Sequence, residues 1–161
     1  MEVKDLDNNK FLRQFELTLE NSMARIEYAE QERKIFLTKL IVPKEIDSLD
    51  FKNKFISLVL DYVSEKNMNE AMRHLSRSLR YFYAGDYREA LKEVDLSLEF
   101  NPNMALAYAR RGSIYYKLGD VQRATINWNL ALRYDPEYTD VRNILKALSE
   151  NQLKSASFIE E

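Results

Sequence analysis

The chain has 161 residues, enough for one domain with a real core, and contains 45% apolar and 31% charged residues. Its 24 basic and 26 acidic residues are mixed throughout, giving a formal charge of −2 with no basic face for phosphate or for an anionic membrane surface. The absence of cysteine excludes disulfides, thiol nucleophiles and thiolate metal sites.

Glycine and proline each occur three times, which points to long helices and few loops and therefore to an all-α fold. Residues from about Asp5 to Leu40 read as one long charged helix, which ends near Pro43. Leu12, Leu19, Ile26 and Leu40 share one heptad phase, and Phe15, Ala29 and Phe36 share the other; Ser22 and Arg33 interrupt it. Two readings stay open. The helix packs along its own chain, or it forms a coiled coil through which residues 5–40 self-associate or dock. A further helix is expected from about Asp50 to Glu65. The apolar runs 36–42 and 55–63 are too short to span a bilayer, and residues 1–20 are too polar for a secretory signal, so the chain as written is expected to be cytoplasmic.

Residues 71–104 and 105–138 superimpose without a gap. Nine positions are identical at an offset of 34, among them Tyr81/Tyr115, Gly85/Gly119, Asp86/Asp120, Ala90/Ala124 and Pro102/Pro136. A fixed period of this length marks a stacked repeat. Each copy holds two predicted helices. The first run Met72–Ala84 and Leu106–Leu118 and end at Gly-Asp, where glycine closes one helix and aspartate caps the next. The second run from about Tyr87 to Phe100 and from Val121 to Tyr134, and each meets Asn-Pro or Asp-Pro. Gly112, Ala90, Ala124 and Ala131 stand where helices must approach closely, and Tyr81, Tyr115 and Trp128 are the bulky residues to fill the gaps. Val141, Ile144, Leu145 and Leu148 form the stripe of a capping helix, followed by a tail over 154–161 that includes Phe158-Ile159.

This pattern resembles the tetratricopeptide repeat (TPR) family, most closely at Tyr108, Gly112, Tyr115, Gly119-Asp120, Ala124, Trp128, Ala131 and Pro136. The first copy departs from it at His74, Ser78 and Ser97. The resemblance implies a short right-handed solenoid of two helix-turn-helix repeats with a C-terminal capping helix, occupying residues 67–153. Residues 1–66 then form an N-terminal helical extension. Continuing the register backwards puts Ile56, Leu60 and Val63 at buried positions of a degenerate preceding repeat.

The resemblance also implies a concave groove that binds a helix or extended peptide of another protein. By position its lining is Met72, Leu75, Leu79, Phe82 and Tyr83 from the first repeat. The second adds Leu106, Ala109, Ser113, Tyr116 and Lys117, and the capping helix adds Asp140 and Asn143. Such a lining suits an apolar segment of a partner, unless the chain's own N-terminal helix fills it. Relatives that clamp a chaperone's C-terminal carboxylate use lysine and asparagine where this chain has Leu75, Leu79, Ala109 and Ser113, so that activity is not expected.

No catalytic residue, metal site or cofactor is expected. The single histidine, His74, falls at a packing position, and Asp86 and Asp120 are helix caps by position. The expected function is a non-enzymatic adaptor or scaffold within a larger assembly, with no nucleic acid and no membrane insertion. The alternatives are a structural subunit acting through the N-terminal helix and, more weakly, the regulatory domain of a longer enzyme.

Overall fold

The computed structural model describes residues 5–19, 21–31 and 34–157. The chain divides into two compact units, residues 1–67 and 68–161.

The first unit is built on a sheet, which corrects the all-α expectation for this segment. Residues 5–40 are not a helix. They form four antiparallel strands in the order β1-β2-β3-β4: β1 Asp7–Asn9, β2 Gln14–Leu19, β3 Ser22–Gln31 and β4 Lys34–Ile41. The period that governs is two. Phe15 and Leu17 on β2 and Ala24, Ile26 and Tyr28 on β3 are all buried, with exposed or half-buried residues between them. Across the ladder Phe15 pairs with Ile26 and Leu17 with Ala24, so one face of the sheet is apolar. Two turns form without glycine. Arg13 takes a left-handed conformation at φ 51°, and Leu19 pairs with Ser22 across a tight hairpin. Between β3 and β4 the register shifts at Glu27/Tyr28, and the Thr38 hydroxyl there donates to the Glu27 carbonyl at 3.1 Å.

After a 3-10 turn at Lys44–Ile46, helix α1 runs from Leu49 to Ala84. Its first turns close the sheet's core: Phe51, Phe55, Leu58 and Val59 are buried with Phe15, Leu17, Ile26 and Tyr28. The Phe15 ring lies 4.9 Å from Tyr28 and 5.7 Å from Tyr62. Residues 50–65 are therefore helical, but they do not belong to a degenerate repeat. No turn separates them from residues 66–84, Ile56 and Val63 pack on the sheet core, and Leu60 is exposed. Among the described residues of 5–40 there is a sheet and no helix, so the expected coiled-coil seam is not formed there. Arg33, which interrupts the heptad pattern, lies outside the described residues.

The second unit holds the expected helix pairs. The end of α1 pairs with α2 Tyr87–Phe100, α3 Ala105–Lys117 pairs with α4 Val121–Tyr134, and α5 Thr139–Ser157 follows. The two pairs close identically. Gly85 and Gly119 both sit at φ 82°, a conformation that disfavours any side chain. Asp86 and Asp120 donate their backbone N–H to the carbonyls of Tyr81 and Tyr115, both at 2.9 Å. Gly85 and Gly119 donate to Phe82 and Tyr116 at 3.1 and 3.0 Å. The two aspartates then cap α2 and α4, accepting from the N–H of Glu89 at 3.4 Å and of Arg123 at 2.8 Å. The stack between each pair's outer ends repeats as well: His74 on Phe100 at 5.7 Å, Tyr108 on Tyr134 at 5.4 Å. His74 is buried, and its Nδ1 is 2.7 Å from the Glu93 carboxylate, a packing role that fits its place in the repeat.

Ala71, Leu75, Ala90 and Val94 form the core of the first pair with Met104 at its end and with Ala107 and Ile114 of α3. The Ser97 hydroxyl, at a position that is alanine in the second copy, donates to the Ala71 carbonyl at 2.8 Å and is thereby satisfied in a fully buried place. Tyr81 does not fill a gap; it is exposed. Helix α5 continues to Ser157, so the expected tail is helical over 154–157, and residues 158–161 lie outside the described residues.

Two outcomes follow from this packing. Ala124 is fully buried, so Ala124→Leu is expected to overpack the pair and destabilise it by about 1–3 kcal/mol in urea unfolding. Hydrogen bonds from Arg123, the backbone one foremost, hold the Asp120 carboxyl below its usual value. A lowered carboxyl stabilises the fold above its unfolded value and loses that contribution as pH falls. The melting-temperature gap between the wild type and Asp120→Ala should therefore be widest near neutrality and shrink as pH is taken below 3.8.

Candidate partner-binding groove

The groove begins with a missing side chain. Gly112 on α3 is buried against Trp128 of α4, and a Cβ at position 112 would stand 2.6 Å from the indole Cδ1 and Nε1. The ring therefore lies against the α3 backbone at Gly112, with its N–H buried and without an acceptor. The indole is 3% exposed and forms the floor between α3 and the helices on either side.

Above that floor are two adjoining depressions. One, of about 330 Å³, is lined by Leu79, Phe82 and Tyr83 of α1, by Leu106, Ala109, Arg110 and Ser113 of α3, by Trp128, and by Tyr138, Asp140, Val141 and Ile144 at the start of α5. The other, of about 370 Å³, is lined by Phe82, Ser113, Tyr116, Lys117, Trp128, Ile144, Ala147, Leu148 and Asn151. Phe82, Ser113, Trp128 and Ile144 belong to both, so the two form one trough running along α3 and α5.

Nine of the twelve residues expected in the groove line it: Leu79, Phe82, Tyr83, Leu106, Ala109, Ser113, Tyr116, Lys117 and Asp140. Leu75 does not, because it points into the core of the first pair and is 3% exposed. Met72 and Asn143 are exposed on α1 and α5 but line neither depression. The positional expectation left out Arg110, Tyr138, Ala147 and Asn151, and it gave Trp128, Val141, Ile144 and Leu148 to packing alone. The signal for several of them is the apolar stripe of α5. Val141 is buried against α4, while Ile144 on the same stripe is 36% exposed and turns to the trough.

The lining carries large apolar groups that are open to solvent: Tyr83 is 80% exposed and Tyr116 47%. Polar groups stand at the edges. Burial pushes the Tyr138 hydroxyl above its ordinary pKa, the Asp140 carboxylate acts in the same direction, and Arg110 opposes both. Tyr138 thus stays a neutral hydrogen-bonding group at the groove's end. Arg111, next to Arg110, faces the other way and pairs with Asp95 at 3.2 Å, linking α3 to α2.

Residues 105–138 match the family model described as the tetratricopeptide repeat. They are a tetratricopeptide repeat. Residues 71–104 form its partner, with the same closing glycine, the same cap and the same period. Solved TPR domains are similar to the chain. The first TPR of Spaghetti (RPAP3) bound to an HSP90 peptide is 21% identical, with 64% of this chain and 84% of that one covered, at a TM-score of 0.48. The first TPR domain of human RPAP3 is also 21% identical, covering 66% and 87%, at 0.49. Yeast Sti1 in its TPR2AB complex is 21% identical, covering 70% and 45%, at 0.49. Comparison with curated proteins gives no match. Among the described residues, no helix is long and apolar enough to cross a membrane.

Trp128 is the only tryptophan, so its fluorescence reports on the TPR floor directly. Gly112→Ala is expected to displace the indole, shift its emission maximum and destabilise the fold by about 1–3 kcal/mol. Unchanged emission and stability would mean that the close approach does not set the floor.

Proposed function

We propose that this chain is a non-enzymatic adaptor that holds an apolar helix or peptide of another protein in its TPR groove, as one part of a larger assembly. The observation that carries this reading is the continuous trough over Trp128, whose walls leave Tyr83, Leu106, Tyr116 and Ile144 exposed. Covering apolar surface of this kind is what drives segment-in-groove recognition. The floor positions Leu79, Ala109 and Ser113 offer no cation, so a carboxylate buried there would lose its hydration uncompensated. The reading therefore favours apolar side chains against Leu79, Ala109 and Ser113, with Arg110 and Lys117 as the cations that border the trough.

The test is affinity capture from native lysate with the wild type and with Leu79→Glu/Tyr116→Glu in parallel, read by mass spectrometry. Leu79 is half-buried and Tyr116 exposed, so the helices of the variant should stay folded, which circular dichroism checks. A partner held by the wild type and lost by the folded variant supports the groove. Equal capture by both would move the function to another surface of the chain.

A further inference from the structure

We propose that the open edge of the N-terminal sheet takes up an extended segment of a partner protein, one that combines alternating apolar residues with acids, as a fifth strand beside β4. Strand β4 pairs with β3 on one side and with no strand on the other among the described residues. It is eight residues long, so its free edge carries a row of backbone N–H and C=O groups that a further strand can complete. Short edge strands offer little of this, and β1, at the other end of the sheet, has three residues. Five of the eight side chains of β4 are large and apolar, and two of them, Phe36 and Leu37, are 51% and 37% exposed.

The register sets what such a segment meets on each face. Ile35, Leu37 and Leu40 stand opposite Glu30, Tyr28 and Ile26 of β3, and Ile35 and Leu40 pack at the margin of the core that α1 closes. A segment beside them extends that core with apolar residues at every second position. On the other face Lys34, Phe36 and Lys39 stand opposite Gln31, Ala29 and Glu27. Thr38 has no partner in the register, so the bulge absorbs one residue: the two lysines, five apart on β4, face β3 residues four apart. Neither lysine forms a hydrogen bond or ion pair among the described residues, and β4 has no acid. Glu27, opposite Lys39, lies 4.0 Å from Arg25 instead. A straight strand on the free edge satisfies both cations with carboxylates at i and i+4, and sets an apolar residue at i+2 against Phe36. The same lysines disfavour a second copy of this chain, since pairing β4 with β4 puts four lysines and no acid on one ribbon.

Selection of linear peptides of about ten residues from a random display library, on the full chain, tests this. The clones that count are those still bound by the groove variant Leu79→Glu/Tyr116→Glu. They should carry apolar residues at alternate positions and Asp or Glu four residues apart. Residue-by-residue N-methylation of one such peptide should weaken binding at least about tenfold at every second position, where the N–H turns to β4, and little at those between. Lys34→Glu/Lys39→Glu should weaken the same peptide at least about tenfold and, on reselection, turn its acids to Lys or Arg. Both lysines are exposed, so this variant should fold, which circular dichroism checks. Should it not, Lys34→Gln/Lys39→Gln serves instead and should abolish the preference for acids. Retained clones that lack the acids, or whose binding ignores the position of the methyl group or the loss of the lysines, would overturn the added strand. So would the absence of any retained clone, or a dimer of the full chain in sedimentation equilibrium that Phe36→Lys dissolves.

Discussion

The approach of Trp128 to Gly112 sets the geometry on which the trough depends. An indole 2.6 Å from the place of a missing Cβ lets α3 and α4 come as close as two backbones with one ring between them. That closeness does two things. It buries the largest side chain of the second repeat with Ala124 and Ala131 beside it, and it lowers the floor so that Phe82, Tyr116, Ile144 and Leu148 stand above it as walls. The first repeat has no such ring: Ser78 and Val94 occupy the places of Gly112 and Trp128, and both are fully buried. The trough consequently lies over the second pair and α5.

The repeat was legible because its chemistry is local. Gly85-Asp86 and Gly119-Asp120 each need a left-handed residue and then a cap, and only a few residue types meet either need. Tertiary context could not easily override them. The N-terminal third was illegible for the opposite reason. Its apolar residues satisfy a period of seven loosely and a period of two closely, as Phe15, Leu17, Ala24, Ile26 and Tyr28 show once they are seen on one face. The scarcity of glycine and proline concealed the turns, since Arg13 adopts a positive φ itself. What decides between strand and helix there is pairing between segments, which no single stretch of sequence displays.

The site was legible to the extent that it lies on the first helix of each pair. Nine of the twelve positions read from α1, α3 and α5 line the trough. Leu75 failed because its side chain packs into the core of the first pair, whereas its counterpart Ala109 in the second repeat lines the trough. Trp128 was missed because it comes from a second helix and was read as packing alone; the small size of Gly112 lets the indole serve both purposes. The α5 residues were missed because a capping helix and a groove wall carry the same amphipathic stripe, and only the packing shows that Val141 is buried at the trough's edge while Ile144 opens onto it.

The central claim is that partners sit in this trough. A benzophenone amino acid placed at position 116, and separately at position 129, tests it most directly after irradiation in cells. Tyr116 walls the trough, whereas Asn129 is exposed on α4 and lines neither depression. The account predicts a cross-linked partner from position 116 and none from 129. An adduct from 129 with none from 116 would contradict it.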